Sequence, residues 1–213
     1  AAALTDCGGT SGSMAQIVAG LNWLITHPFR DQRPGVDVVN ASLGWVGYRL
    51  EWEAALQTPI ALGVPIVASI GNNGAKGPGR HGSPGNVQGA IGVGATDWKN
   101  LVAPFSAWGD EAPPEGPSYP VPDLCAPGVG VYSSVPGGGY ERHSGTSMAA
   151  PVVTGVAARH LERDPGLIGD PPGLLEALEA WRSPWRTGEN GNKGGACRIR
   201  AYDPQAGGAD PGD

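Results

Sequence analysis

The stretch Ser144-Gly145-Thr146-Ser147-Met148-Ala149-Ala150-Pro151-Val152-Val153 predicts a loop that delivers a serine to the first turn of a helix. Gly145 allows a sharp backbone turn and leaves the serine hydroxyl uncrowded. Thr146 is the expected N-cap, so that free backbone N–H groups and the helix dipole would favour negative charge beside Ser147. Acyl transfer needs an exposed nucleophile next to such donors. An isolated Gly-x-Ser is more often only a capped helix with a solvated serine, so the interpretation depends on the rest of the chain.

The serine stretch is preceded by motifs that occur in the order of one protease family. They include residues 38–44 (VVNASLG), 66–74 (IVASIGNNG), 90–95 (AIGVGA) and 123–128 (DLCAPG). Together with the run Gly-Thr-Ser-Met-Ala-Ala-Pro, they closely resemble the motifs of the subtilisin-like serine proteases, or subtilases. The agreement extends from about residue 6 to residue 202, which is nearly the whole chain.

The resemblance implies a serine endopeptidase that acts on polypeptides, with Ser147 as its nucleophile. Asn72 matches the side-chain amide that, with the backbone N–H of Ser147, would hold the tetrahedral oxyanion. Judged from the residues alone, Asn72 is instead a turn former, because Asn and Gly favour positive φ. The residues expected to bind substrate are Ser42, Leu43 and Gly44, as a strand paired with the peptide, and Asn73, at the specificity pocket. Trp45 stands where many relatives have Gly, and we expect it to narrow one subsite.

Two members of the expected catalytic triad have no match in the chain. Subtilases order the triad Asp, His, Ser, and nothing here resembles their Asp-Ser/Thr-Gly strand end or their His-Gly-Thr-His-Val helix. Residues 1–7 resemble the segment that follows both. We therefore expect the C-terminal three-quarters of a catalytic domain, with the missing N-terminal segment as its partner and no activity in the isolated chain. The alternative catalytic aspartate, Asp6, is disfavoured because the helix after it matches a later helix of the family.

None of the four histidines is a convincing triad base. His143 is nearest to the serine in sequence, but a spacing of four residues does not provide a hydrogen bond, and a surface position is expected. His81 falls where the family has a substrate-pocket loop. His27 closes a helix, and His160 is expected on the outer face of the serine helix.

Two other classes of function are weaker interpretations. An α/β-hydrolase esterase needs Gly-x-Ser-x-Gly followed by Asp and His, whereas Ala149 stands at the last position of that motif here. A non-catalytic subtilase-like domain that binds peptides is the stronger rival, because the chain contains no triad base. Retention of Ser147 and Asn72 argues against it.

Composition agrees with a single folded protease domain. The chain has 213 residues, 40% of them hydrophobic and 16% charged. A net charge of −6 and a pI near 5.1 argue against nucleic acid or an anionic membrane as a partner. We assign residues 1–203 to the partial catalytic domain and the Gly/Pro/Asp-rich residues 204–213 to a tail or linker. An extracellular location is expected.

The three cysteines fit no metal-binding spacing. Cys125 lies in an apolar run and is expected to be a small buried residue. Cys7 and Cys197 have loop-like surroundings, and either could pair with a residue upstream of this chain. No cofactor is expected. Calcium commonly stabilises subtilases, but no ligand set can be identified here, so no metal site is assigned.

Alternation of apolar runs predicts an α/β fold. Helices are expected at residues 11–26, 50–62, 147–161 and 174–181, with Pro59 breaking or kinking the second. Strands are expected at 36–43, 66–70, 91–95, 129–135 and 197–202. This order predicts a three-layer, doubly wound sandwich with a mainly parallel β-sheet whose N-terminal part is missing. Gly44, Asn72 and Ser147 follow strand-like runs and should meet at one edge of the sheet.

Overall fold

The computed structural model describes residues 12–30 and 33–180. Its helices are α1 (Met14–Thr26), α2 (Leu50–Ala61), α3 (Thr146–Arg163) and α4 (Pro171–Ala180), with 3₁₀ turns at Gly74–Lys76 and Pro165–Leu167. Its strands are β1 (Pro28–Arg30), β2 (Arg33–Pro34), β3 (Val39–Ala41), β4 (Trp45–Val46), β5 (Ile66–Ser69), β6 (Gly82–Ser83), β7 (Ala90–Thr96), β8 (Gly109–Glu111), β9 (Tyr119–Val121), β10 (Leu124–Pro127), β11 (Val131–Ser134) and β12 (Tyr140–His143). The expected strand 197–202, the tail 204–213, Cys7 and Cys197 lie outside the described residues.

The central sheet has four parallel strands in the order β10-β7-β5-β3. Every side chain of β5 and β7 is buried, as expected for strands covered on both faces. Along β5, Ile66 and Ala68 pack with α1 and α2, whereas Val67 packs with α3 and α4. This alternation separates two apolar cores, one on each face of the sheet. The predicted three-layer α/β sandwich is thereby confirmed.

Helix α3 packs along the whole sheet because its buried face is built from small residues. Ala149, Ala150 and Ala157 are fully buried, and α3 contacts all four strands. A row of alanines lets the helix axis approach the sheet more closely than bulky side chains would allow. The small residues of α3 therefore place its N-terminal end close to the sheet.

The expected start of the first helix was wrong, and the break expected at Pro59 in the second helix does not occur, both for identifiable reasons. Helix α1 begins at Met14 and not near residue 11, because Ser13 and Gln16 form a capping box in which each side chain bonds the other's backbone N–H. Helix α2 continues through Pro59 to Ala61. Proline is tolerated there because it lies in the last turn, where it removes a single helical hydrogen bond.

The strand expected at residues 129–135 does not join the parallel sheet. It forms β11, which pairs antiparallel with β12 in an exposed hairpin. The sheet position beside β7 is taken by β10, which was not predicted as a strand. Cys125 lies in β10 and is buried as expected, but it is disulfide-bonded, and its partner lies outside the described residues.

No helix within the described residues is both long and apolar enough to cross a membrane.

Asp123 is held against the sheet immediately before β10. Its Oδ2 accepts a hydrogen bond from the backbone N–H of Gly92 on β7 at 2.6 Å. Burial raises the pKa of the Asp123 carboxyl to about 6, although backbone hydrogen bonds oppose the increase. The folded protein therefore binds this proton more tightly than the unfolded chain does, whose aspartates have a pKa of about 3.9. Stability from this group is complete below pH ~4 and is lost as the pH rises through about 6.

We predict that the Asp123 carboxyl lowers the free energy of unfolding by about 1–3 kcal/mol between pH ~4 and pH ~7. Asp123→Asn keeps a hydrogen-bond acceptor for Gly92 but cannot titrate, so this part of the decrease should vanish. Urea unfolding at both pH values measures it. Glu115→Gln, at an exposed carboxylate, controls for the loss of one charge. An Asp123→Asn variant with the parent's pH dependence would contradict the assignment.

Candidate functional site

A cleft of about 220 Å³ opens where β3 and β5 end and α3 begins. Residues 43–46, 69–73, 82–83 and 146–147 line it. The structure therefore brings Leu43, Gly44, Asn72, Asn73 and Ser147 together at one edge of the sheet. Among the described residues, no side chain that lines the cleft is charged.

Ser147 is the second residue of α3, and it is partly exposed to the cleft. The sequence had suggested Thr146 as the N-cap, but the N-cap of α3 is Gly145. This glycine makes no side-chain capping bond. The backbone N–H groups of the first helical turn have no partner within the helix. The N–H of Ser147 is one of them, and it is available to a ligand in the cleft.

Thr146 is fully buried, and its hydroxyl joins β5 to α3 in place of capping the helix. Its Oγ1 accepts a hydrogen bond from the Gly71 N–H at 3.1 Å and donates one to Asn72 Oδ1 at 3.0 Å. The Thr146 backbone N–H also donates to Asn72 Oδ1, at 2.9 Å. Sequence reasoning missed this role, because it depends on a contact between segments 74 residues apart.

Asn72 is oriented by these two hydrogen bonds. Since both reach its oxygen, the Nδ2 amide group is left as the donor, and the residue itself is exposed. A Cβ at position 145 would lie 3.3 Å from Asn72 Nδ2. Glycine there leaves space beside the amide, so that a ligand can meet Asn72 and the N–H of Ser147 at the same time.

Ser42 forms a hydrogen bond with the first turn of the serine helix. Its Oγ donates to the Ser147 backbone carbonyl at 2.8 Å and accepts from Asn40 Nδ2 at 3.0 Å. In a regular helix that carbonyl would accept from the N–H four residues later, but residue 151 is proline and has none. Ser42 therefore supplies the hydrogen bond that the helix lacks. This contact was not foreseen when Ser42 was predicted to bind substrate.

The remaining predicted residues form the walls of the cleft. A Cβ at position 44 would lie 2.5 Å from the carbonyl oxygen of Ser83, so Gly44 is required for the two segments to approach. Trp45 is 42% exposed and packs on the Trp52 ring at 5.9 Å between centroids. Asn73 begins the 3₁₀ turn, and its backbone carbonyl accepts from the Lys76 N–H at 3.0 Å.

None of the four histidines, all within the described residues, lines the cleft. His143 is exposed on the hairpin, 3.2 Å from Glu141, as expected of a surface residue. His27 follows α1 and stacks on Trp23. His160 was expected on an outer face but is partly buried, and burial, followed by the charge of Arg163, lowers its pKa. The backbone beside His81 does border the cleft, but its side chain is buried behind it.

Within the described residues, no group of three or more His, Cys, Asp or Glu side chains could hold a metal ion.

Comparison with known proteins supports the assignment of the chain to a protein family, independently of the geometry of the cleft. The profile of the Subtilase family matches residues 2–178. Alkaline elastase YaB from Bacillus sp. (strain YaB) is 40% identical over 155 residues, which is 73% of this chain and 36% of that protein. Subtilisin E from Bacillus subtilis (strain 168) is 33% identical over 156 residues, again 73% of this chain and 36% of the relative. The chain therefore spans about a third of the length of these relatives.

The structure also resembles solved proteases. A cold adapted subtilisin-like serine proteinase superposes with a TM-score of 0.74 at 29% identity, covering 94% of this chain and 65% of that one. A protease from Pseudoalteromonas arctica PAMC 21717 gives a TM-score of 0.72 at 25% identity and covers 91% and 58%.

The contact between Ser42 and Ser147 generates a prediction about helix stability. Ser42→Ala should lower the free energy of unfolding by about 1 kcal/mol, because the Ser147 carbonyl loses its donor. Pro151→Ala restores a helical N–H, so Ser42→Ala should cost less in that background. A double-mutant cycle by urea unfolding measures the difference. Ser133→Ala, on the exposed hairpin, is the matched control. Strictly additive costs would contradict the interpretation.

Proposed function

Because the chain belongs to the subtilase family, we propose that it carries the serine-bearing part of an endopeptidase active site. The observation that supports this most directly is the Asn72 amide, which two hydrogen bonds from Thr146 orient beside the N-terminus of the Ser147 helix. Subtilases are serine proteases, and the proposed substrate is a polypeptide. The described lining of the cleft carries no charge, which favours an uncharged substrate side chain.

In the proposed reaction, Ser147 Oγ bonds to the carbonyl carbon of the scissile peptide while its proton passes to a histidine base. The carbonyl oxygen becomes negatively charged and accepts hydrogen bonds from the Ser147 N–H and Asn72 Nδ2. Each such donor contributes about 3–4 kcal/mol to transition-state stabilisation. The histidine then gives the proton to the leaving amine as the C–N bond breaks, and water hydrolyses the acyl group from Ser147.

The histidine and its aspartate are proposed to come from a further segment of the same protein. No described histidine reaches the cleft, and β3 is the terminal strand of the sheet, paired on one side with β5 within the described residues. A parallel strand added to the free edge of β3 would end at the same side of the sheet as Asn72. An acidic residue at that carboxyl end would then lie near the cleft.

Residues 42–44 are proposed to hold the substrate backbone as an added strand, with Asn73 beside its side chain. We also propose an extracellular location. The disulfide at Cys125 supports it, because such bonds persist in oxidising compartments.

A serine-directed phosphonate tests the nucleophile. In protein that contains this chain and the triad histidine and aspartate, the probe should label Ser147, and Ser147→Ala should abolish labelling and peptide hydrolysis. The 213 residues alone should show no measurable hydrolysis, because a serine without its base is a poor nucleophile. Ser144→Ala, in the same loop, is the matched control, since its Oγ serves only the Gly130 N–H among the described contacts.

Three results would count against this proposal. Labelling that persists in Ser147→Ala would refute the nucleophile. Hydrolysis by the isolated chain that His143→Ala abolishes would show that a local histidine is the base. Peptide binding without labelling in protein that holds the triad histidine and aspartate would favour the non-catalytic peptide-binding domain.

For Asn72, we predict that replacement by leucine lowers kcat about 10²–10³-fold with little change in KM, because the donor acts on the transition state. Steady-state kinetics with one peptide substrate measures both constants. Asn73→Ala is the matched comparison and should affect KM more than kcat. If Asn72→Leu raised KM and left kcat unchanged, Asn72 would be a binding or structural residue.

A further inference from the structure

Three buried polar side chains form a cluster that the proposed reaction does not use. His81, Asn86 and Glu111 are 3%, 0% and 6% exposed. His81 Nδ1 lies 3.0 Å from Glu111 Oε2, and Asn86 Nδ2 donates a short hydrogen bond to the same oxygen. The other carboxylate oxygen, Oε1, accepts from the Ala112 N–H at 3.0 Å. Burial of so many polar groups is costly unless their geometry is satisfied, and here every one has a partner.

Each ring nitrogen of His81 has a polar neighbour. Nε2 lies 3.3 Å from the carbonyl oxygen of Asp110. Nδ1 lies 3.0 Å from Glu111 Oε2 and 3.4 Å from Asn86 Nδ2. The buried ring is therefore held by polar contacts at both nitrogens, which suits its burial.

A chain of hydrogen bonds connects this cluster to the cleft. Asn86 Oδ1 accepts from Ser83 Oγ at 2.7 Å, and Ser83 Oγ accepts from the Arg49 N–H at 3.0 Å. The backbone carbonyl of His81 accepts from the Gly47 N–H at 2.9 Å. These hydrogen bonds hold the residue before β6 and the last residue of β6 in place. Ser83 itself lines the cleft.

Strand β6 cannot move without its neighbour β4. The two strands pair antiparallel, with Trp45 opposite Ser83 and Val46 opposite Gly82. A Cβ at position 82 would lie only 2.1 Å from the carbonyl oxygen of Trp45, so the backbones are in close contact. Together the two strands form one wall of the cleft that Asn72 and Ser147 also line.

We propose that His81, Asn86 and Glu111 are positioning residues that fix the β4–β6 wall and thereby set which uncharged side chain the cleft accepts. The inference rests on the proposed function, since it concerns the substrate of the same site. None of the three side chains touches the reacting atoms. Their loss should therefore change discrimination between substrates more than it changes the reactivity of Ser147.

The test variant is Glu111→Gln, in protein that also contains the triad histidine and aspartate. Glutamine keeps the shape of the side chain but replaces the carboxylate, whose Oε2 contacts His81 Nδ1 and Asn86 Nδ2, with an amide. Peptide anilides with Phe or Ala before the scissile bond probe the cleft, and a small phosphonate without a side chain probes Ser147. We expect the Phe/Ala ratio of kcat/KM to change about 3- to 10-fold, with phosphonate labelling within about twofold of the parent. Glu115→Gln is the matched control.

The experiment distinguishes failure of this inference from failure of the proposed function. An unchanged Phe/Ala ratio, with only the titrated fraction of active sites reduced, would overturn the proposal and leave the cluster a purely structural role. Failure of the parent to be labelled at Ser147 would instead refute the proposed function. If Glu111→Gln does not fold, Ser83→Ala decides, because it removes the hydroxyl that joins Asn86 to the Arg49 N–H and the Gly47 carbonyl while leaving His81, Asn86 and Glu111 unchanged. Ser83→Ala should shift the ratio as well, and an unchanged ratio there would overturn the proposal.

Discussion

The hydrogen bonds of Thr146 tie the N-terminus of α3 to the end of β5. Through Gly71 and Asn72, one buried hydroxyl fixes both the position of the serine helix and the direction of the amide beside it. The arrangement is possible only because alanines let α3 lie close against the sheet. The packing of α3 against the sheet therefore also sets the distance between Ser147 and Asn72. Larger side chains on the buried face of α3 would move the helix away from the sheet and separate these two residues.

The serine helix also lacks an internal hydrogen bond at Ser147, the proposed nucleophile. Pro151 leaves the Ser147 carbonyl without a helical donor, and Ser42 supplies one from β3's end. The first turn of α3 is thus held from two strands, by Thr146 to β5 and by Ser42 beside β3. A serine on such a turn has little freedom to move away from the proposed oxyanion donors, which is what the proposed catalysis requires.

Much of the fold follows from patterns that local sequence carries. The fully apolar runs of β5 and β7 predict buried parallel strands, and the spacing of Ile17 and Leu21 predicts α1. The errors come from long-range contacts. Residues 129–135 have strand-like character, but pairing with β12 and not β7 decides their place. Thr146 has the residue type of an N-cap, yet a neighbouring strand uses its hydroxyl.

The prediction of the site likewise succeeded where local motifs were sufficient and failed where long-range contacts decide the structure. Family motifs located Ser147, Asn72 and the cleft walls, whereas nothing local in the sequence connects His81 with Glu111, 30 positions later. The disulfide of Cys125 was missed for a similar reason, because pairing depends on distances that spacing does not provide. The capping box of Ser13 and Gln16, by contrast, was readable from the pattern Ser-x-x-Gln.

In the described part of the chain, the central strands separate the two apolar cores. Ile66 and Ala68 face one core and Val67 faces the other, so neighbouring positions of β5 belong to different packing environments. Substitutions in the α1–α2 core lie on the far side of the sheet from the serine helix, but this core also contains Trp52, which packs on Trp45, and it contacts Leu43. Trp45 and Leu43 both line the cleft. Changes in this layer that tune heat resistance would therefore leave the serine helix in place and reach the substrate only through one wall of the cleft.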